Sequence, residues 1–148
     1  MWLERDYDLL DELLSSIDQV LFVWDAFDKD LKVLYVNDAY QKSWGLSKES
    51  LYENPYSFLD VVYPEDKQMI INAYISTIKD KVELSLDFRI LKNDEIHWLY
   101  ARVIPIRNEE GLVHRLIGIT DDITHRKERE IRISKLNEFQ DDIIKMLA

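Results

Sequence analysis

The sequence predicts an α+β domain built on a five-stranded antiparallel sheet, and three observations carry that prediction. Two apolar runs lie close together near the start, three longer alternating segments lie near the end, and an amphipathic helical segment separates the two groups. The 148 residues, 47% of them hydrophobic, suffice for one domain with a buried core and not for two large ones.

Leu3, Leu10, Leu13, Leu14 and Ile17 recur at helical spacing among Asp and Glu, which predicts an amphipathic helix over roughly residues 4–17. Residues 20–27 and 31–36 are apolar runs parted by Asp28-Lys29-Asp30, a hairpin pattern. Asn37 or Asp38 is expected to accept hydrogen bonds from the first free amides of a short helix through Trp44, which Gly45 ends. Ser47 opens another short turn, and Asn54-Pro55 marks a break before the segment 56–62.

Pro64 suits a helix start because its missing N–H would be unpaired there anyway, and Glu65 and Asp66 complement the positive end of the dipole. Lys79 and Lys81 suit the other end. With Ile71, Tyr74, Ile75 and Ile78 in one stripe, the pattern predicts a helix over 64–80. Strands are expected over 82–91, 96–107 and 112–123, with turns at 92–95 and 108–111. Thr124 is expected to cap a charged final helix that carries Ile133, Leu136, Phe139, Ile143 and Leu147.

Pairing Leu91 with Ile96 and Arg107 with Leu112 sorts the last three strands into two faces. One collects Leu84, Leu86, Phe88, Leu99, Ala101, Val103, Leu116, Gly118 and Thr120; it is apolar, and its middle is small because Ala101 falls opposite Gly118. The other collects Asp87, Arg89, Trp98, Tyr100, Arg102, Ile117, Ile119 and Asp121, too apolar for a face open to water, so a helix or another subunit should cover it. The small centre leaves room for a pocket between Leu86, Phe88, Leu99, Ala101, Leu116 and Gly118 on the sheet and Ile71 and Ile75 on the helix. Tyr40, Phe58 and Phe88 either border a ligand there or fill the gap as ordinary core.

The formal net charge of −10 repels phosphate backbones and anionic lipid, which argues against nucleic acid as a partner and against direct membrane contact. The absence of cysteine removes disulfides, thiolate zinc sites and a thiol nucleophile. The start lacks the order of a signal peptide, and no apolar run approaches membrane-spanning length. The three histidines, His97, His114 and His125, do not converge in this strand scheme, so no metal site is expected. There is no glycine-rich phosphate loop and no Gly-x-Ser-x-Gly turn, so catalysis by this chain is not expected. One polar constellation stands out: the register sets His97 opposite Asp122, where sheet becomes helix.

Leu21-Phe22-Val23-Trp24-Asp25, the segment from Leu34 through Asn37-Asp38 to Tyr40, Trp44-Gly45-Leu46, Tyr63-Pro64-Glu65-Asp66, His97-Trp98 and Gly118-Ile119-Thr120-Asp121-Asp122-Ile123-Thr124 together resemble the PAS domain with its PAC extension, over roughly residues 18–127. The resemblance implies a five-stranded antiparallel sheet with helices cupping one face. It divides the chain into an N-terminal helix (1–17), the sensory domain (18–123) and a C-terminal coiled-coil linker (124–148). It implies a cytoplasmic module, often of a histidine kinase or a cyclic-dinucleotide enzyme, that senses a small molecule and acts on a kinase or cyclase output domain in the same polypeptide. The alternative it leaves open is a ligand-free scaffold for dimerisation or protein interaction. Signal would pass through His97, Asp122, Ile123 and Thr124. A homodimer would use Leu10, Leu14, Ile17, Trp98, Tyr100, Ile117, Ile119, Ile133, Leu136 and Ile143. Covalent flavin is disfavoured by the missing cysteine and haem by the lack of a histidine in 64–80, leaving a small organic ligand or none.

Overall fold

Two adjacent residues in the left-handed region, Asn93 (φ 52°) and Asp94 (φ 64°), turn the chain back on itself in a two-residue hairpin. Asn and Asp tolerate that conformation better than most residues. The tight turn pins β3 (Leu84–Lys92) to β4 (Glu95–Arg107) in the expected register, with Leu91 opposite Ile96 and Phe88 opposite Leu99. The computed structural model describes residues 4–26 and 31–148. The turn expected at 28–30, and Phe27 beside it, lie outside the described residues.

The pairing of β4 with β5 (Val113–Asp122) differs from the expectation by two residues. Ala101 faces Thr120 rather than Gly118, and Asp122 faces Leu99 rather than His97. The loop is the cause: Asn108 Oδ1 accepts the amides of Glu110 and Leu112, the Asn108 amide reaches the Leu112 carbonyl, and the register slips between Ile106 and Arg107, so that Arg107 meets Val113. Because side chains alternate with period two, a shift of two keeps each on its expected face. β1 (Val20–Asp25) pairs antiparallel with both β2 (Lys32–Val36) and β5, completing the order β2-β1-β5-β4-β3.

The apolar face is covered by α2 (Ala39–Trp44), α3 (Lys48–Glu53), α4 (Lys67–Asp80) and the 3-10 turns Ser57–Val61 and Pro64–Asp66. Gly45, at φ 73°, ends α2, and Ser47 Oγ caps α3 by accepting the Ser50 amide. The expected cap on α2 is absent. Asp38 has helical backbone angles that give its carboxylate no route to the free amides, and it pairs instead with Lys48. Asn37 is fully buried and committed elsewhere: its Oδ1 accepts the Leu21 amide at 3.0 Å, and its Nδ2 donates to the carbonyls of Leu14 (2.8 Å) and Gln19 (2.9 Å).

Those bonds tie α1 (Glu4–Ser15) to the domain by its polar side. Tyr35 donates to Asp11 at 2.6 Å, and the Asp38 amide donates to Ser15 Oγ at 3.1 Å. Leu9, Leu10, Leu13 and Ile17 remain exposed.

On α4 the expected stripe holds at Tyr74 and Ile78 and fails at Ile71 and Ile75, which are out of phase with the buried face. Ile70, Tyr74 and Ile78 pack on the core and Thr77 is fully buried, whereas Ile71 and Ile75 are exposed at 37% and 53%. The Thr77 hydroxyl donates to the Ala73 carbonyl in its own helix, so a polar residue occupies a core position at little cost.

The last helix, α5 (Thr124–Leu147), starts at the predicted residue with a different cap. Asp122 Oδ1 accepts both the amide (2.9 Å) and the hydroxyl (2.5 Å) of Thr124, while Thr124 Oγ1 accepts the Trp98 amide at 3.0 Å. Beyond its first turns every residue of α5 is exposed, including Ile133, Leu136, Phe139 and Leu147. On the outer sheet face, Trp98, Tyr100, Ile117 and Ile119 are half-buried, and the start of α5 packs against β4.

Candidate ligand cavity and signalling junction

The small residues at the sheet centre leave an opening of about 110 Å³ between β1, β3, β4 and β5 on one side and the turn 57–61 with α4 on the other. Its inner surface is apolar. Of the expected wall, Phe58, Ile71, Leu86, Phe88, Ala101 and Gly118 line it. Four residues do not. Leu99 and Leu116 are fully buried in the core away from the lining, Ile75 points outward for the phase reason given above, and Tyr40 packs between Phe22 (ring centroids 5.4 Å) and Trp44 (5.7 Å). Burial pushes the Tyr40 phenol above its ordinary pKa, and its hydroxyl has no hydrogen-bond partner among the described residues.

The sequence reading missed the aromatic part of the wall: Phe22 and Trp24 from β1, Trp44 from α2, Tyr56, and Tyr74 from α4. The signal was the Phe22 and Trp24 alternation, which places both on the inner face of a strand that reading never registered against its neighbours. Phe22 stacks on Trp24 with centroids 5.0 Å apart and planes 8° apart. Gly118 lies beneath that stack. A Cβ there would stand 2.8 Å from Trp24 Cζ3 and 3.1 Å from Cη2, so the glycine lets an indole lie flat on the sheet. Thr120, also in the wall, accepts the Trp44 indole N–H at 3.3 Å.

A second set of contacts joins the cavity helix to the final helix. Asp66, which immediately precedes α4, is 9% exposed and is held by Arg89 of β3: Oδ2 accepts the Arg89 amide (2.8 Å) and Nε–H (3.0 Å), and Oδ1 accepts Nη2–H (2.7 Å). The guanidinium holds that carboxyl below the usual carboxylate range. Arg89 also lies 4.2 Å above the Tyr63 ring and 5.5 Å from the Trp98 ring. Lys127, from the first turns of α5, lies 5.1 Å from the Trp98 ring and 2.9 Å from the Asp87 carboxylate, which raises its pKa. Trp98 is therefore flanked by a cation tied to α4 and a cation carried by α5. Its backbone serves the same junction, accepting the Ile123 amide at 2.8 Å.

His97 and Asp122 meet, Nδ1 to Oδ2 at 3.3 Å, even though the strand register offsets them by two. The two side chains reach each other diagonally across the end of the ladder. Burial pushes the Asp122 carboxyl up, but the Thr124 hydroxyl and amide, with His97, outweigh it and hold the group below its ordinary range. Among the described residues, no group of three or more His, Asp or Glu side chains could hold a metal, and no helix is long and apolar enough to cross a membrane.

Comparison with known proteins agrees with the fold. A family described as the PAS fold matches residues 33–120. The Escherichia coli (strain K12) protein named Probable diguanylate cyclase DgcE is 31% identical over 93 residues, 58% of this chain and 8% of that protein. The Methyl sulfide methyltransferase-associated sensor of Methanosarcina acetivorans is 28% identical over 131 residues, 86% of this chain and 13% of that protein. The chain thus spans a small fraction of the length of the curated relatives it matches. Among solved structures, a domain of a Haloarcula marismortui histidine kinase named for light and redox sensing superimposes with a TM-score of 0.65 at 28% identity, covering 79% of this chain and 99% of that one.

Proposed function

The chain belongs to the PAS fold family, and we propose that it is the sensory input and dimerisation module of a cytoplasmic signalling protein. It takes a small molecule into the cavity between sheet and α4 and passes the signal through α5 to a kinase or cyclase output domain in the same polypeptide. The observation that carries this reading is the apolar cavity together with the contact chain Asp66, Arg89, Trp98, Lys127 that leads from its helical wall to α5. A ligand that fits one position of α4 better than another shifts the Asp66 anchor, and the cation on one side of Trp98 moves relative to the cation on the other. The Asp122, Ile123 and Thr124 junction, with His97 beside it, converts that change into the orientation of α5.

Dimerisation rests on two exposed stripes. The apolar side of α1, including Leu10 and Leu13 with Leu14 half-buried, faces away from its own domain, and Ile17 just beyond the helix is exposed as well. Ile133, Leu136, Ile143 and Leu147 of α5 fall on one heptad seam, with Gln140 at an inner position where a polar side chain weakens the seam. The half-buried Trp98, Tyr100, Ile117 and Ile119 continue the surface that a second copy would cover. These stripes also favour the second reading, a ligand-free dimerising scaffold.

Mass spectrometry under denaturing conditions of protein taken from its native host separates the two. Sensing predicts a reproducible small compound that is lost in Ala101→Leu, where added side chain occupies the cavity. Protein that carries no compound, with unchanged output regulation in Ala101→Leu, supports the scaffold.

A further inference from the structure

The lining of the cavity is specific enough to name a ligand class, an inference that rests on the sensing reading above. We infer that the cavity takes an uncharged, single-ring aromatic molecule of the size of toluene.

Three observations converge. The first is volume. A cavity of about 110 Å³ is of the same order as the roughly 150 Å³ apolar cavity that admits benzene in an engineered lysozyme, so one ring of about six to eight heavy atoms fits and a fused ring system does not. The second is the wall. Seven aromatic side chains contribute to it, among them the Phe22 and Trp24 stack, Trp44 and Phe58, the last two edge to face at 89°. Such a lining favours another ring over an aliphatic body of equal size, because ring faces carry negative and ring edges positive partial charge, so an aromatic ligand gains stacked or edge-to-face contacts that an aliphatic one does not. The third is charge. Arg102 is the only charged residue at the wall among the described residues, and its guanidinium is already engaged by Glu83, Nε at 2.8 Å and Nη2 at 2.6 Å. A carboxylate on the ligand would lose its water and gain no free cation, and an ammonium would exchange its water for aromatic faces alone, since no carboxylate lines the cavity among the described residues.

The same geometry gives a place of entry. Tyr56 is 52% exposed and Ile71 37%, and both line the cavity from the turn region and from α4, so they form its solvent side. Tyr74, a wall residue, is a neutral phenol in the physiological range, and burial pushes its pKa further up.

The test titrates the full chain with toluene, benzoate and naphthalene, following tryptophan fluorescence, which Trp24 and Trp44 report from the wall, and the melting temperature. Toluene is expected to bind saturably and raise the melting temperature, while benzoate and naphthalene do neither at equal concentration. Ala101→Leu, and separately Ala73→Leu from the helix side, should each weaken toluene binding at least tenfold; using both guards against one variant failing to fold, which circular dichroism detects. Binding of benzoate or naphthalene as tight as that of toluene overturns the inference, as does toluene binding unchanged in both folded variants. If toluene fails while protein from the native host carries a different compound that Ala101→Leu excludes, the class is wrong and the sensing reading stands. If toluene fails and the host protein is empty, both fall.

Discussion

Replacing Asp66 by Asn tests the anchor on which the coupling of α4 to α5 depends. The carboxylate accepts three hydrogen bonds from Arg89, at 2.7, 2.8 and 3.0 Å, and two of them come from the guanidinium. Asn retains one acceptor but turns an N–H₂ group toward a cation. Hydrogen bonds to charged groups contribute about 1.5–3 kcal/mol each when lost. The Arg89 side chain is 25% exposed, so water recovers part of that loss, and the net destabilisation should be about 2 kcal/mol. For a chain of this length that lowers the melting temperature by about 4–8 °C. The pH dependence has a definite sign. Arg89 depresses the folded-state pKa of Asp66 below its unfolded value, so the stability it contributes is fully present above the unfolded value and is lost as pH falls through the folded one. Thermal melts followed by circular dichroism should therefore show a gap between wild type and Asp66→Asn at pH 7 that closes in acid. A shift of less than about 1 °C at pH 7, or a gap that widens in acid, would refute the assignment of Asp66 as a charged anchor.

Gly118→Ala should displace the Trp24 indole rather than fill the cavity, since its Cβ would lie 2.8 Å from that ring; the expected cost is about 1–3 kcal/mol with an altered tryptophan emission, and an unchanged melt and spectrum would show that the ring is free to move. Leu10→Lys combined with Leu13→Glu should convert a dimer to a monomer in light scattering at micromolar concentration, whereas a strictly monomeric mass for the parent chain would remove α1 as an interface. With the output domain attached, a seven-residue insertion after Lys135 should preserve regulation and a four-residue insertion should lock or abolish it, because only the first keeps the heptad phase. Equal responses in both would reduce α5 to a tether.

What the sequence made legible follows from how tightly local chemistry constrains each element. The turn at Asn93 and Asp94 has two residues and one register, so the pairing of β3 with β4 was readable in full. The loop from Asn108 to Leu112 is longer, and side-chain hydrogen bonds from Asn108 with a slipped pair at Arg107 decide its register, which no alternation pattern encodes. The phase of α4 was misread because Thr77 looks polar in sequence and is buried in the fold, its hydroxyl satisfied within the helix. Ile75 was assigned to the cavity for the same reason. Part of the aromatic wall escaped for a different one: Phe22 and Trp24 come from β1 and Trp44 from α2, and their convergence on the cavity is set by the place of β1 between β2 and β5, which alternation within one strand does not give. The contact between His97 and Asp122 was found from a register that was off by two, and the reach of the two side chains makes up the difference.

In the proposed mechanism an occupant of the cavity is felt at α5. Amide hydrogen exchange on the full chain, with the cavity empty and with it saturated with toluene, measures that directly. Protection should change at the cavity wall and also at the Ile123 and Lys127 amides, which are bonded to Trp98 and Ile123 carbonyls at 2.8 and 2.9 Å, and the second change should disappear in Trp98→Leu while the first remains. Saturation of the cavity with changes confined to its wall would show that α5 does not respond to the occupant.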